Sequence, residues 1–404
     1  MATQQLNPEA SSKVLERLRG KHVLITGTTG FLGKVVLEKL IRAVPDIGGI
    51  HLLIRGNKRH PNARERFYEE IATSSVFDRL RQDDNDAFET FIEERVHCVT
   101  GEVTEPLFGL SGDRFRKLAG GIDVVINSAA SVNFREELDK ALAINTRCLE
   151  NVNGMNSGQI TETVIKPAGE SIPRSTEGYY EIEELVRLLE DKISDVRSRY
   201  SGKMLEKKLV DLGIREANHY GWSDTYTFTK WLGEQLLLKA LSGRALTIVR
   251  PFIDHLMAES RANFAEYDQL FYRQPTKPFI AVNRRLFDAV VGGVRIPLSI
   301  TGKVLRMLGQ NRELKVLRNL DTTRSLATIF GFYTAPDYIF RNDDLLALAS
   351  RMGELDKVLF PVDARQIDWS VYLRKIHLAG LNRYALKERK VYSLRSAKAR
   401  KKAA

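Results

Sequence analysis

The stretch His22-Val23-Leu24-Ile25-Thr26-Gly27-Thr28-Thr29-Gly30-Phe31-Leu32-Gly33 decides the fold. Its first five residues are a short β-branched and apolar run of strand length, and Phe31–Ala43 then carries apolar residues at helical spacing. Glycines between a strand and a helix have defined uses. Gly27 permits the tight turn, Gly30 lets the backbone approach a pyrophosphate, and Gly33 lets the helix pack on the strand. Free N–H groups and the dipole at the helix N-terminus favour an anion there. Gly27, Thr28, Thr29, Gly30, Phe31, Leu32 and Gly33 are therefore expected to hold a dinucleotide. A glycine-rich turn without a ligand is the competing reading.

Strands and helices alternate outward from this point. Strands are expected at 50–54, 96–99 and 122–127, and helices at 64–81 and 136–150. This pattern predicts an α/β fold with a doubly wound, parallel, Rossmann-like sheet. Beyond Glu150 the alternation stops. No apolar run of strand length follows, so one central strand is expected to be missing. Helices are expected over 181–199, 203–219 and 223–241, then a last strand over 245–249. Helical periodicity continues to the end, punctuated by Pro275, Pro278, Pro297, Pro336 and Pro361. The expected organisation is an N-terminal tail (1–18), a dinucleotide-binding Rossmann-like domain (19–251), a mainly α-helical C-terminal domain (252–386) and a basic tail (387–404).

A chain of 404 residues is long enough for two cores. Its net charge of +11 suits an anionic partner: nucleic acid, anionic lipid or a phosphorylated small molecule. Nucleic acid is disfavoured because no interleaved aromatics or recognised module accompany the charge. The tail leaves a peripheral membrane contact as a lesser expectation beside plain solvation. Cys98 and Cys148 form no CxxC pair, so neither a metal site nor a disulfide framework is expected. The N-terminus lacks an apolar signal core, and the apolar stretch 286–305 is interrupted by Arg295 and Lys303. A cytoplasmic location is the default. The final Lys401-Lys402-Ala403-Ala404 resembles a retrieval signal, which chance explains in the absence of a span.

Two further groups of residues carry chemistry. The second strand runs into Arg55 and then Lys58 and Arg59, where an NAD-preferring site would place an acid on the ribose. Cations there suit the 2′-phosphate of NADP(H), against the alternative of a solvated basic loop. Glu102 and Val103 follow the third strand, where such folds contact adenine. Tyr226-x-x-x-Lys230 places a phenol and an ammonium on one helix face. A cation near the phenol is expected to lower its pKa and let it exchange a proton with a carbonyl oxygen. About one such pair is expected by chance, but its position before the last strand favours a catalytic origin.

Together, TGxxGxxG and YxxxK resemble the extended short-chain dehydrogenase/reductase superfamily. The run 20–34, the Leu52-Leu53-Ile54-Arg55 strand, the run 126–134 and Asn145-Thr146 resemble an alcohol-forming fatty acyl-CoA reductase of bacterial type. Phe360-Pro361-Val362-Asp363-Ala364-Arg365, Ile367-Asp368-Trp369 and Gly380-Leu381-Asn382-Arg383-Tyr384 resemble the helical domain that ends these reductases. The resemblance implies NADPH-dependent reduction of a long-chain acyl-CoA: thioester to hemithioacetal, then aldehyde, then primary alcohol, a wax ester precursor. It gives Tyr226 the role of proton donor. Lys230 would hold the nicotinamide ribose, Asn145 would join a proton relay, and Ala129 would line the cofactor. The partner is a long-chain acyl-CoA or fatty aldehyde; oligomeric state stays open.

Two departures from the family pattern stand out. The fifth strand and the substrate-binding Ser/Thr hydroxyl at its end are expected to be missing after Asn151, with Ser128 or Ser131 as replacements. After Arg250-Pro251 a further lobe is replaced by Phe252-Ile253-Asp254-His255-Leu256-Met257, which resembles the opening of the helical domain. Both read as internal deletions, the first of roughly twenty residues and the second longer. A non-catalytic NADP(H)-binding or interaction protein is the alternative, and a sugar epimerase or dehydratase is a further one that the C-terminal motifs oppose.

Overall fold

The computed structural model describes residues 12–154, 182–241, 284–307 and 343–363, with scattered positions between 246 and 376 besides. Lys13–Leu18 (α1) leads into four strands: His22–Thr26 (β1), Gly49–Ile54 (β2), Val96–Thr100 (β3) and Val124–Asn127 (β4). They form one parallel sheet in the order β3-β2-β1-β4. β1 pairs with both β2 and β4, so the glycine stretch leaves from inside the sheet. Val23, Leu24 and Ile25 are all buried, because helices cover both faces of a parallel sheet. On one face Leu37 of Phe31–Ala43 (α2) and Phe88 and Ile92 of Asp78–Arg95 pack over Val23, Ile25 and Leu52. On the other, Phe108 and Phe115 pack against Leu24 and Leu53.

The fold class is as expected, but several boundaries are not. The helix expected over 64–81 is two pieces. A turn of helix at Ala63–Arg66 (α3) widens into a π-helical turn at Phe67–Ala72 and stops; a second helix, Asp78–Arg95 (α4), follows. The break falls on Thr73-Ser74-Ser75, residue types whose hydroxyls can compete for backbone groups and so weaken a helix. Thr73 Oγ1 donates to the Glu69 carbonyl at 2.8 Å, and the Arg81 guanidinium donates to the Ala72 and Ser74 carbonyls at 2.5 and 2.9 Å. Gly112–Gly120 (α5) precedes β4, which starts at Val124, two residues later than expected. The helix expected over 136–150 is Leu138–Leu142 (α6), a π-helical segment Ala143–Arg147 and Cys148–Gly154 (α7).

Ile182–Arg199 (α8), Gly202–His219 (α9) and Thr225–Ala240 (α10) lie close to the expected helices. Leu185, Leu189, Leu209, Leu212, Phe228 and Leu232 bury their shared face together with Leu138 and Leu142. Arg284–Met307 (α11), Asp343–Ser350 (α12) and Glu354–Leu359 (α13) follow, and among the described residues no strand lies beyond β4. The strand expected at 245–249 and the place of the missing fifth strand fall almost wholly outside the described residues.

Contacts divide the chain into Met1–Ile248 with Asp344–Val362, and Val249–Asp343 with Asp363–Ala404. The segment around α13 thus belongs with the unit that contains the sheet. Asp356 explains why. Its buried carboxylate accepts from Ser12 Oγ and from the Lys13 and Val14 amides at 3.1 and 3.3 Å, so it caps α1. Lys39 adds a hydrogen bond to the Leu359 carbonyl and lies 5.1 Å over the Phe360 ring.

Candidate functional site

Apart from Lys230, which lies on α10, each residue expected at the cofactor follows the carboxyl end of one of the four parallel strands, where open α/β sheets bind ligands. Gly27, Thr28, Thr29 and Gly30 form the loop after β1; Phe31, Leu32 and Gly33 form the first turn of α2. Gly27 has φ +75°, and a Cβ there would meet Ala129 N and the Ser128 carbonyl carbon at 2.6 Å. The glycine loop is therefore pressed against the segment after β4. Gly33 lies against the Gly27 carbonyl in the same way. Gly30 caps α2 with no side-chain hydrogen bond, which leaves the first-turn amides open to an anion. Thr28 Oγ1 is buried without a hydrogen-bond partner. A lone buried hydroxyl beside open amides is the arrangement that a bound diphosphate would complete, so the loop fits a dinucleotide. Phe31 and Leu32 are exposed beside it.

Arg55 follows β2 and is exposed; it pairs with Glu102, which follows β3, at 3.1 Å. Both are expected at the cofactor, and their contact across two strand ends has no signature in sequence spacing. Lys58 is exposed in the next loop. Val103 is held by Asn151, whose Nδ2 donates to the Val103 and Glu105 carbonyls at 3.1 and 2.7 Å. Asn151 Oδ1 also accepts from the Leu107 amide at 2.9 Å. This clamp supports two successive left-handed residues, Leu107 (φ 52°) and Phe108 (φ 60°).

Tyr226 and Lys230 lie on α10, whose N-cap Asp224 accepts from the Thr227 amide at 2.8 Å. A Ser-Asp pair before a helical run is a readable start signal. The Tyr226 ring meets Phe134 edge-on at 5.5 Å. Contrary to the expectation, its phenol is pushed up: burial comes first, then Asp224 and Glu234. Lys230 acts instead on buried Cys148, whose thiol burial pushes up to about 12 against the opposing pull of the ammonium.

Asn145 is buried and joins three segments. Its Oδ1 accepts from the Ser131 amide at 2.9 Å; its Nδ2 donates to the Ser131 carbonyl at 3.2 Å and to Thr229 Oγ1 at 3.1 Å. Thr26 Oγ1 accepts from the Ala129 amide at 3.2 Å and donates to Asn127 Oδ1 at 2.5 Å. A path of hydrogen bonds and short backbone thus runs from the end of β1 through Ala129, Ser131 and Asn145 to the helix of Tyr226. Thr26 and Thr229 also belong to this path, and no motif in the sequence marks them. The two hydroxyls considered as replacements are engaged: Ser128 Oγ donates to the Thr26 carbonyl at 2.7 Å and Ser131 Oγ to Glu136 at 2.6 Å.

Fold and site together define a nicotinamide dinucleotide-binding α/β protein with a Tyr-Lys pair on the helix after its sheet. The chain belongs to the male sterility protein family: its NAD-binding domain matches residues 25–273 and its Sterile domain residues 294–388. Among curated relatives, the chloroplastic fatty acyl-CoA reductase 2 of Arabidopsis thaliana is 32% identical over 265 residues, 59% of this chain and 42% of the relative. The alcohol-forming fatty acyl-CoA reductase of Simmondsia chinensis is 33% identical over 270 residues, 61% and 54% of the two chains. The chain spans about half the length of these plant relatives. The Drosophila melanogaster fatty acyl-CoA reductase wat is 23% identical over 475 aligned positions, covering 92% of this chain and 85% of the relative. Among solved structures, the terminal R domain of the myxalamid biosynthetic pathway is 22% identical, with a TM-score of 0.35 over 57% of this chain and 48% of that one.

Proposed function

We propose that this protein reduces a long-chain fatty acyl-CoA, through the aldehyde, to the primary fatty alcohol with NADPH, acting in the cytoplasm. The observation that carries the reading is the Asn145 linkage, which ties the segment after β4 to the helix bearing Tyr226 and Lys230. When bound, NADPH supplies hydride. The open first turn of α2 would hold its diphosphate, and Arg55 with Lys58 its 2′-phosphate. Glu102 and Val103 would lie on the adenine side and Ala129 beside the nucleotide. Lys230 would hold the nicotinamide ribose. Tyr226 would give its phenolic proton to the substrate oxygen as charge develops there. Asn145 would steady the relay behind it. The basic surface would attract the CoA phosphates, and the basic tail would add a weak peripheral membrane contact.

The engaged hydroxyls of Ser128 and Ser131 favour a second reading, a cofactor-binding protein without turnover. Purified protein with NADPH and palmitoyl-CoA separates the two. Loss of NADPH absorbance with release of free thiol is expected, and Tyr226→Phe should lower the rate by about a hundredfold or more while NADPH still binds. NADPH binding with neither oxidation nor thiol release rejects the enzyme reading in favour of the second.

A further inference from the structure

Arg55 and Glu102 offer opposite chemistries at one place. The Arg55 side chain is 67% exposed and that of Glu102 only 18%, so the carboxylate is the fixed partner and the guanidinium the free end. Glu102 is held from several sides. Its amide donates to the Phe108 carbonyl at 2.9 Å, its second carboxylate oxygen accepts from the Thr104 amide at 3.3 Å, and the preceding Gly101 amide donates to the Ile54 carbonyl at 3.2 Å. The Arg55 backbone is held by Arg66, which donates to its carbonyl at 2.6 Å. The cation proposed for a 2′-phosphate is thus already engaged by a rigidly seated anion.

We infer that Glu102 is a specificity-determining residue: it competes with the cofactor's 2′-phosphate for Arg55, and so narrows the preference for NADPH over NADH. This rests on the proposed role of Arg55. A phosphate must displace or share the guanidinium and also bear the nearby carboxylate, whereas a ribose 2′-hydroxyl meets an acceptor in that carboxylate. The exchange involves one exposed ion pair, so its effect is modest.

Dissociation constants for NADPH and NADH, measured by calorimetric titration of the full chain, test this without requiring turnover. Glu102→Gln keeps an acceptor for the Thr104 amide but removes the charge. It should tighten NADPH by about two- to fivefold, as expected for one exposed pair, without tightening NADH. Glu102→Asp, with its carboxylate drawn back, should give an intermediate ratio. Arg55→Ala should lower the ratio of NADPH to NADH affinity. If Arg55→Ala lowers the ratio and Glu102→Gln leaves it unchanged, the inference is overturned while the role of Arg55 stands. If Arg55→Ala leaves the ratio unchanged, the role of Arg55 is itself wrong.

Discussion

Tyr226 is half-buried, with Asp224 and Glu234 acting on it in the same direction as its burial. All three disfavour the phenolate. A proton donor whose pKa is raised keeps its proton to higher pH, so the alkaline loss of kcat/KM due to Tyr226 should fall above a free phenol's pKa of about 10. An alkaline limb that lies well below that value, and that disappears in Tyr226→Phe, would show that the free enzyme already lowers this pKa. At this scale the sequence was most informative where chemistry is local. The glycine loop and Tyr226-x-x-x-Lys230 could be read from spacing alone. Asn151 could not. It occupies the place where the family pattern breaks off, and its role is to hold a loop some 45 residues earlier in the chain. Such a clamp leaves no periodic trace. The direction of the Tyr226 pKa is not legible in the sequence for a related reason: helical spacing puts Lys230 on the same face but says nothing of Asp224, Glu234 or burial.

Among the elements, α10 lies close against the π-helical segment Ala143–Arg147 at Gly233. A Cβ there would meet the Asn145 carbonyl oxygen at 2.3 Å and Leu149 Cδ1 at 2.7 Å. Gly233→Ala should therefore force the helices apart and destabilise the protein by about 1–3 kcal/mol, read as a lower unfolding midpoint in denaturant. An unchanged midpoint would mean that this contact is not close in solution. The strands carry a second testable feature. His22 on β1, His51 on β2 and His97 on β3 lie side by side, with His22 Nδ1 and His51 Nε2 3.1 Å apart and the His51 and His97 rings 4.9 Å apart. Burial, His97 and His22 lower the His51 pKa from 6.5 to about 4. The folded state thus binds fewer protons than the unfolded state between these values. Stability should fall as pH drops from 6.5 towards 4, by on the order of 1–3 kcal/mol after allowance for partial solvent screening. His51→Gln should flatten this slope; the same slope in the variant would place its origin elsewhere. Neither the histidine ladder nor the break at Thr73-Ser74-Ser75 was read from the sequence. The ladder depends on strand register, and the break is set by Arg81 reaching back to carbonyls of the preceding turn.

At the scale of the whole molecule, the segment around α13 returns to the nucleotide-binding unit across more than three hundred residues. Asp356 is the joint, because its buried carboxylate answers three donors at the start of α1. Asp356→Ala leaves those donors without a charged acceptor. It should cost about 1–3 kcal/mol of stability and lower the melting temperature; a variant as stable as the parent would remove this joint from the account. The parallel sheet and the helical layer follow from the alternation and length of apolar runs. The return of 344–362 does not, since a helix docked far along the chain has no local signature. The central claim, that this family member completes a reduction, is tested most directly by isotope transfer. NADPH carrying two deuterium atoms at the nicotinamide C4 is incubated with palmitoyl-CoA, and the extracted lipid is analysed by mass spectrometry. Two successive hydride transfers predict hexadecan-1-ol with both C1 hydrogens replaced by deuterium, formed by the parent chain and lost in Tyr226→Phe. Bound NADPH with no deuterated aldehyde or alcohol would contradict the claim.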